Sequence, residues 1–187
     1  MFVIYGDSTE SGQVFSVIYA LHLPTDISIL FEETGTGFNP GILMPQDRIP
    51  LYDEPGQMAL LMGVLGVDLS YCKLFERFPE SAECYHQIEL LADNLNLPEE
   101  IFEKPSENLD NYMDDPDSLT GLINKVFHDV DNYFKASGQE SLASLSLLGG
   151  WLEAMYIAVN IYEDNSIFEM GDRICTMIRQ MWEGVNL

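Results

Sequence analysis

Positive charge is scarce in this chain. Eight Lys and Arg residues stand against 31 Asp and Glu in 187 residues, a formal net charge of -23. Gripping a phosphate backbone or an anionic lipid surface takes clustered Lys and Arg, so no nucleic-acid partner is expected and docking on anionic lipid is disfavoured. Cysteine is equally sparse: Cys72, Cys84 and Cys175 are widely spaced and form no C-x-x-C. The odd number argues against a disulfide framework, the spacing argues against a zinc knuckle, and the thiols read as small hydrophobes in helices. There is no G-x-S-x-G elbow and no Walker loop, and the glycines at 35, 37 and 41 have no Lys-Ser/Thr behind them. The opening residues MFVIYGDSTESGQ lack a basic n-region, so the chain as written is expected to carry no export signal.

Apolar residues are not scarce. They make up 47% of the chain, which excludes a disordered acidic tail and supplies a sizeable core. Residues 1–23 are ambiguous between strand and helix, and from residue 24 onward the signals are helical. Pro24-Thr25-Asp26 opens a short helix that stops at Gly35, and residues 35–50 read as a structured loop. Pro55 fits the first position of an apolar helix running to about Phe78, which Pro79 is expected to end, with Ser81 capping the next. In that next helix Cys84, Ile88, Leu91 and Leu95 make one stripe.

Pro98-Glu99-Glu100 and Ser106 start two short helices. Asp117 or Ser118 caps an amphipathic helix in which Val126, Val130 and Phe134 oppose Lys125, His128 and Asn132, and Gly138 stops it. A second apolar helix follows to about Tyr162. Ser166 and Glu169 form a capping box for the last helix, which Gly184 ends. The expected fold is all-α: one domain over residues 24–187, about seven helices in an irregular bundle around the two central apolar helices.

Those two helices contain runs long enough to raise the question of a membrane, Met58 to Phe75 and Leu142 to Ile161. Each carries an acid near its middle, Asp68 and Glu153, and a charge at a bilayer centre costs at least ~2.5 kcal/mol. Both are therefore read as buried core helices, with no transmembrane span. Glycines interrupt both, at 63 and 66 and at 149 and 150. A helix-interior glycine costs about 1 kcal/mol, so these mark a close crossing of the two backbones.

The same helices hold the candidate site. Asp68 is followed three residues later by Tyr71, and Glu153 by Tyr156, which puts each acid and phenol on one helix face. Asp68, Tyr71, Glu153, Tyr156 and Trp151 are the candidate ligand-binding residues. Buried acids need partners, and the tyrosines, Ser70, Trp151, Lys73, Arg77 and Arg173 are the candidates. A hydrogen-bonded structural network is weighed against a polar pocket for a cationic or polyhydroxy ligand, and against a catalytic acid pair. Glu83-x-x-His86 matches half of a di-iron motif, but a second copy is absent. Asp114-Asp115-Pro116-Asp117-Ser118 departs from an EF-hand loop and reads as a solvated turn. No metal site and no cofactor is expected.

Three stretches, LPTDISILFEETGTGFNPGIL at 23–43, ALLMGVLGVDLSYCKLF at 59–75 and SLLGGWLEAMYIAV at 146–159, resemble a family of helical proteins of Bacteroidota. Its members usually carry a lipoprotein-type export signal, so the resemblance implies an exported or cell-envelope protein. It implies no activity. The functional expectation is a non-enzymatic helical binding or interaction module for a protein or small-molecule ligand. The alternative is a small-molecule or cation binder, or a carboxylate-based enzyme, using Asp68 and Glu153.

Overall fold

A computed structural model describes the backbone at residues 37–102 and 116–165, and the side chains at 37–102 and 125–160. Among the described residues the protein is all-α, with four α-helices, three short 3-10 turns and no strand. The helices are α1 (Pro55–Leu74), α2 (Phe78–Asn94), α3 (Pro116–Ala136) and α4 (Glu140–Asn165). The expected elements at 1–23, 24–35, 106–114 and 166–184 lie outside the described residues. The chain divides into two compact units, Gly37–Ala154 and Met1–Thr36 with Met155–Leu187. The first holds α1 to α3 and most of α4. Of the second, residues 155–160 have described side chains; Ile157 and Ala158 are buried there, and Tyr156 and Val159 are exposed.

Within Gly37–Ala154, α1 is the centre. Pro55 takes the first turn, where its missing N–H costs nothing, and the Met58 N–H bonds back to the Glu54 carbonyl at 3.0 Å. The helix is apolar on every side, and such a helix must be enclosed on every side. Met62, Leu65 and Cys72 are fully buried, and Leu69 nearly so. Its core partners on α2 are the expected stripe of Cys84, Ile88, Leu91 and Leu95, all buried. Val126, Val130 and Phe134 of α3 complete the cluster, while Lys125, His128 and Asn132 face solvent, as their spacing requires.

The boundary between α1 and α2 differs from expectation. α1 ends at Leu74, closed by Glu76 in the left-handed region (φ 54°) and by the Arg77 N–H reaching back to the Cys72 carbonyl at 2.8 Å. Pro79 terminates nothing. It sits in the first turn of α2, the one part of a helix that tolerates proline, and Ser81 is buried inside that helix instead of capping it. The 35–50 loop contains two 3-10 turns, Pro40–Ile42 and Gln46–Leu51, the first capped by Asn39 Oδ1 accepting from the Gly41 N–H at 2.9 Å. Pro98 does open a turn, the 3-10 Glu99–Ile101, and Gly138 (φ 73°) follows α3 as expected.

α1 and α4 meet at their glycines. A Cβ on Gly63 would collide with the Ser146 carbonyl and lie 2.6 Å from the Gly150 nitrogen, and one on Gly149 would collide with the Leu60 carbonyl. Contacts advance together along both helices, from Gly56 with Leu145 to Leu60 with Gly149 and Gly63 with Gly150, so the two run parallel. The crossing is narrow, and that overturns one expectation. The apolar window of α1 is 67% buried, but that of α4 is only 33% buried. Contact through a glycine face covers one side of α4 and leaves Leu148 and Leu152, 44% and 46% exposed, on another. By length and composition both helices could cross a membrane.

Candidate functional site: an enclosed carboxyl pair

Asp68 and Glu153 lie a little more than one turn beyond the glycine crossing on their parallel helices, and the structure brings them together. Asp68 has 0% exposure. Its Oδ2 accepts the Met44 N–H at 2.9 Å. Its Oδ1 and Glu153 Oε1 are both buried, and no N–H or hydroxyl donates to either. The two carboxyls are within hydrogen-bonding reach of each other. Two ionised carboxylates cannot bond, because both are acceptors only. The contact is a hydrogen bond only when one group keeps its proton.

The electrostatics favour that state. Burial raises the Asp68 pKa, against the Met44 N–H and the hydrogen bond from Glu153, which lower it; the result is about 6. Burial, the charge of Asp68 and donation to Asp68 all push Glu153 up, to about 8. Both shifts are upward, so the pair keeps a proton to higher pH than free carboxyls do, and its two macroscopic steps belong to the pair.

Tyr71 is not a partner of Asp68. Its hydroxyl accepts the Asn39 N–H at 2.9 Å, and its ring stacks on Phe38 (centroids 5.3 Å apart) and meets Phe75 edge-on at 5.1 Å. Asp68 and Tyr71, one turn apart on α1, thus grip two points of the same segment, residues 39 and 44, and strap it across the helix. Arg77 lies over the Phe38 ring at 4.9 Å and pairs with Glu80 at 2.6 Å, so it is not spent on Asp68. The Ser70 hydroxyl donates to the Gly66 carbonyl, the usual fate of a helix serine. Tyr156 is 50% exposed and belongs to the other unit. A phenol one turn along the same helix points wherever its own neighbours are, and acid and phenol need not share them. Trp151 is partly buried. Arg173 lies outside the described residues.

The other motifs do not converge. Glu83 and His86 face solvent on α2, where His86 Nδ1 lies 3.8 Å from Glu89. Among the described residues no three His, Cys, Asp or Glu side chains are placed to hold a metal ion. Asp114 and Asp115 lie outside the described residues. Cys72 and Cys84 are buried, and the hydrogen bond to Cys72, with burial behind it, drives the Cys84 thiol pKa upward, the behaviour of an inert thiol.

The sequence reading missed the Met44 N–H as the principal donor to Asp68, and missed each acid as the partner of the other. A signal for the second was present: acids at similar distances past their glycine pairs must approach once the glycines meet in parallel. No protein-family profile, curated protein or solved structure matches this chain.

Proposed function

We propose that the chain is a non-enzymatic interaction module whose partner is a basic amphipathic segment of another protein, received on the outer face of α4. The observation that carries this reading is the exposure of Leu148 and Leu152 on a helix otherwise as apolar as the enclosed α1. A face of this kind, left by a protein with 31 acids and 8 bases, is complementary to leucines flanked by Lys or Arg. The acid pair supports the same reading by its enclosure. Glycosidase chemistry holds its carboxyls about 5–9.5 Å apart to admit a sugar or a water, whereas these two lie within hydrogen-bonding reach of each other. A cation or polyol site needs open oxygens, and Asp68 has none.

The proposal takes the whole chain as one helical domain of about seven helices, supported by the capping and periodicity signals at 24–35, 106–114 and 166–184 beside the four helices described. Location at the cell envelope belongs to it as well, and rests on the motifs at 23–43, 59–75 and 146–159 alone.

The test is a calorimetric titration with a synthetic helical peptide bearing Leu on one face and Lys on the other. A peptide of equal charge with Ser in place of Leu is the control. Saturable binding, weakened by salt and reduced about tenfold by Leu148→Ser with Leu152→Ser, is expected. Equal binding of both peptides, or an unaffected double variant, would overturn the proposal.

A further inference from the structure

The acid pair does more than fill space. We infer that Asp68 and Glu153 share a single proton and act as a proton-operated latch, tying α4 to α1 and to the strap at Met44. The geometry is the argument. Asp68 is wholly enclosed, its Oδ2 is occupied by the Met44 N–H at 2.9 Å, and its Oδ1 and Glu153 Oε1 are buried without any donor from the protein. Burying such acceptors unsatisfied is costly, and one proton between the carboxyls satisfies both. With the proton in place the pair is a charge-assisted bond in a low-dielectric setting. Without it, two like charges face each other where repulsion is strongest, and the contact is lost.

The surroundings of the pair set its response. α2 presents the Cys84 thiol, hydrogen-bonded to Cys72 of α1 and subject to the Asp68 charge. α3 reaches the same stretch of α1 with the Phe127 ring against Gly66. The strap contributes the Met44 N–H, and Tyr71 is turned toward Asn39. Folded-state values of about 6 and about 8 both lie above the ordinary carboxyl values. The folded protein therefore binds more protons than the unfolded chain, and stability falls as pH rises. The contribution is complete below about pH 4, where unfolded carboxyls are also protonated, and is lost as pH climbs through the folded values. Exposed carboxylates are already ionised by about pH 6, and the histidines and thiols whose ordinary ranges fall between about pH 6 and about pH 9 are common to parent and variant, so the difference between the two over that interval reads the pair.

Denaturant melts of the full chain across that interval test the latch. The parent protein is expected to lose midpoint steadily. Glu153→Gln, whose amide donates to Asp68 at every pH, is expected to lose less than half as much. A Gln variant that keeps the parent's full pH dependence would overturn the latch. A carboxyl-labelled carbon NMR titration of the unsubstituted protein gives a reading that requires no variant to fold. One carboxyl that stays protonated at neutral pH and titrates near pH 8, as the pair's upper step requires, is the expected result. Titration of every carboxyl within about one unit of its ordinary value would overturn the inference.

Discussion

Helices α1 and α4 are close to interchangeable as sequences. Each is long and apolar, each is broken by glycines, and each carries one acid followed by a tyrosine. In the folded protein they are opposites. α1 is enclosed by α2, α3, α4 and the 38–44 strap, and spends its acid and its tyrosine on holding that strap. α4 touches α1 along one glycine-lined face and turns leucines outward. Composition sets how much apolar surface a helix has to bury. The number of neighbours decides how much of it is buried.

The comparison breaks first at matched leucines. Leu65 of α1 is fully buried and Leu152 of α4 is 46% exposed. Leu65→Ala should cost about 2–5 kcal/mol in a denaturant melt, and Leu152→Ala about 0.5 kcal/mol or less. Equal costs would mean that α4 is as enclosed as α1.

The crossing comes next. Gly63→Leu and Gly149→Leu each drive side-chain atoms into the backbone of the other helix, and each should cost about 3 kcal/mol or more, above the usual range for overpacking. Gly150→Ala is the internal control, because its Cβ would lie 3.3 Å from the Gly63 carbonyl and needs only a small shift. A neutral result at both 63 and 149 would remove the crossing.

The acid pair ranks third. Asp68→Ala strands the Met44 N–H and Glu153→Ala strands Asp68 Oδ1, so each should lower stability by roughly 1–3 kcal/mol. The double variant should cost clearly less than the sum, because the contact between the carboxyls is lost in each single variant and is counted twice in the sum. Asp68→Asn should cost less than Asp68→Ala, since an amide keeps part of the contact. Additive losses would show that the carboxyls do not interact.

The smallest effect concerns helix ends. α1 closes on Glu76 with φ 54°, where a β-carbon is disfavoured, whereas α3 is followed by Gly138 in the same region. Glu76→Gly should raise stability by up to about 1 kcal/mol, and a thermal melt that drops instead would show that the Glu76 side chain stabilises the turn.

Much of this was legible along the chain. Pro55 announces the start of α1, Gly138 the end of α3, and the Cys84–Ile88–Leu91–Leu95 stripe the buried face of α2, because each signal depends on backbone rules acting within a few residues. The glycines at 63 and 149 announce a close approach for the same reason: glycine's cost within a helix has to be repaid by something outside it. Pro79 misled because proline is compatible with two neighbouring positions, just after one helix and just inside the next. Only the left-handed turn at Glu76 decides between them.

The sequence by itself determined the all-α class, the acidic charge balance, and the two apolar helices with their glycine contact. These follow from periodicity, charge balance and local backbone preferences. Only the tertiary structure decided that α1 is enclosed and α4 is not, that Tyr71 turns to Asn39 while Asp68 turns to Met44, and that Asp68 and Glu153 complete each other. Partners separated by 24, 32 and 85 residues are chosen by packing, where the parallel course of two helices past a glycine contact fixes which side chains arrive at the same place.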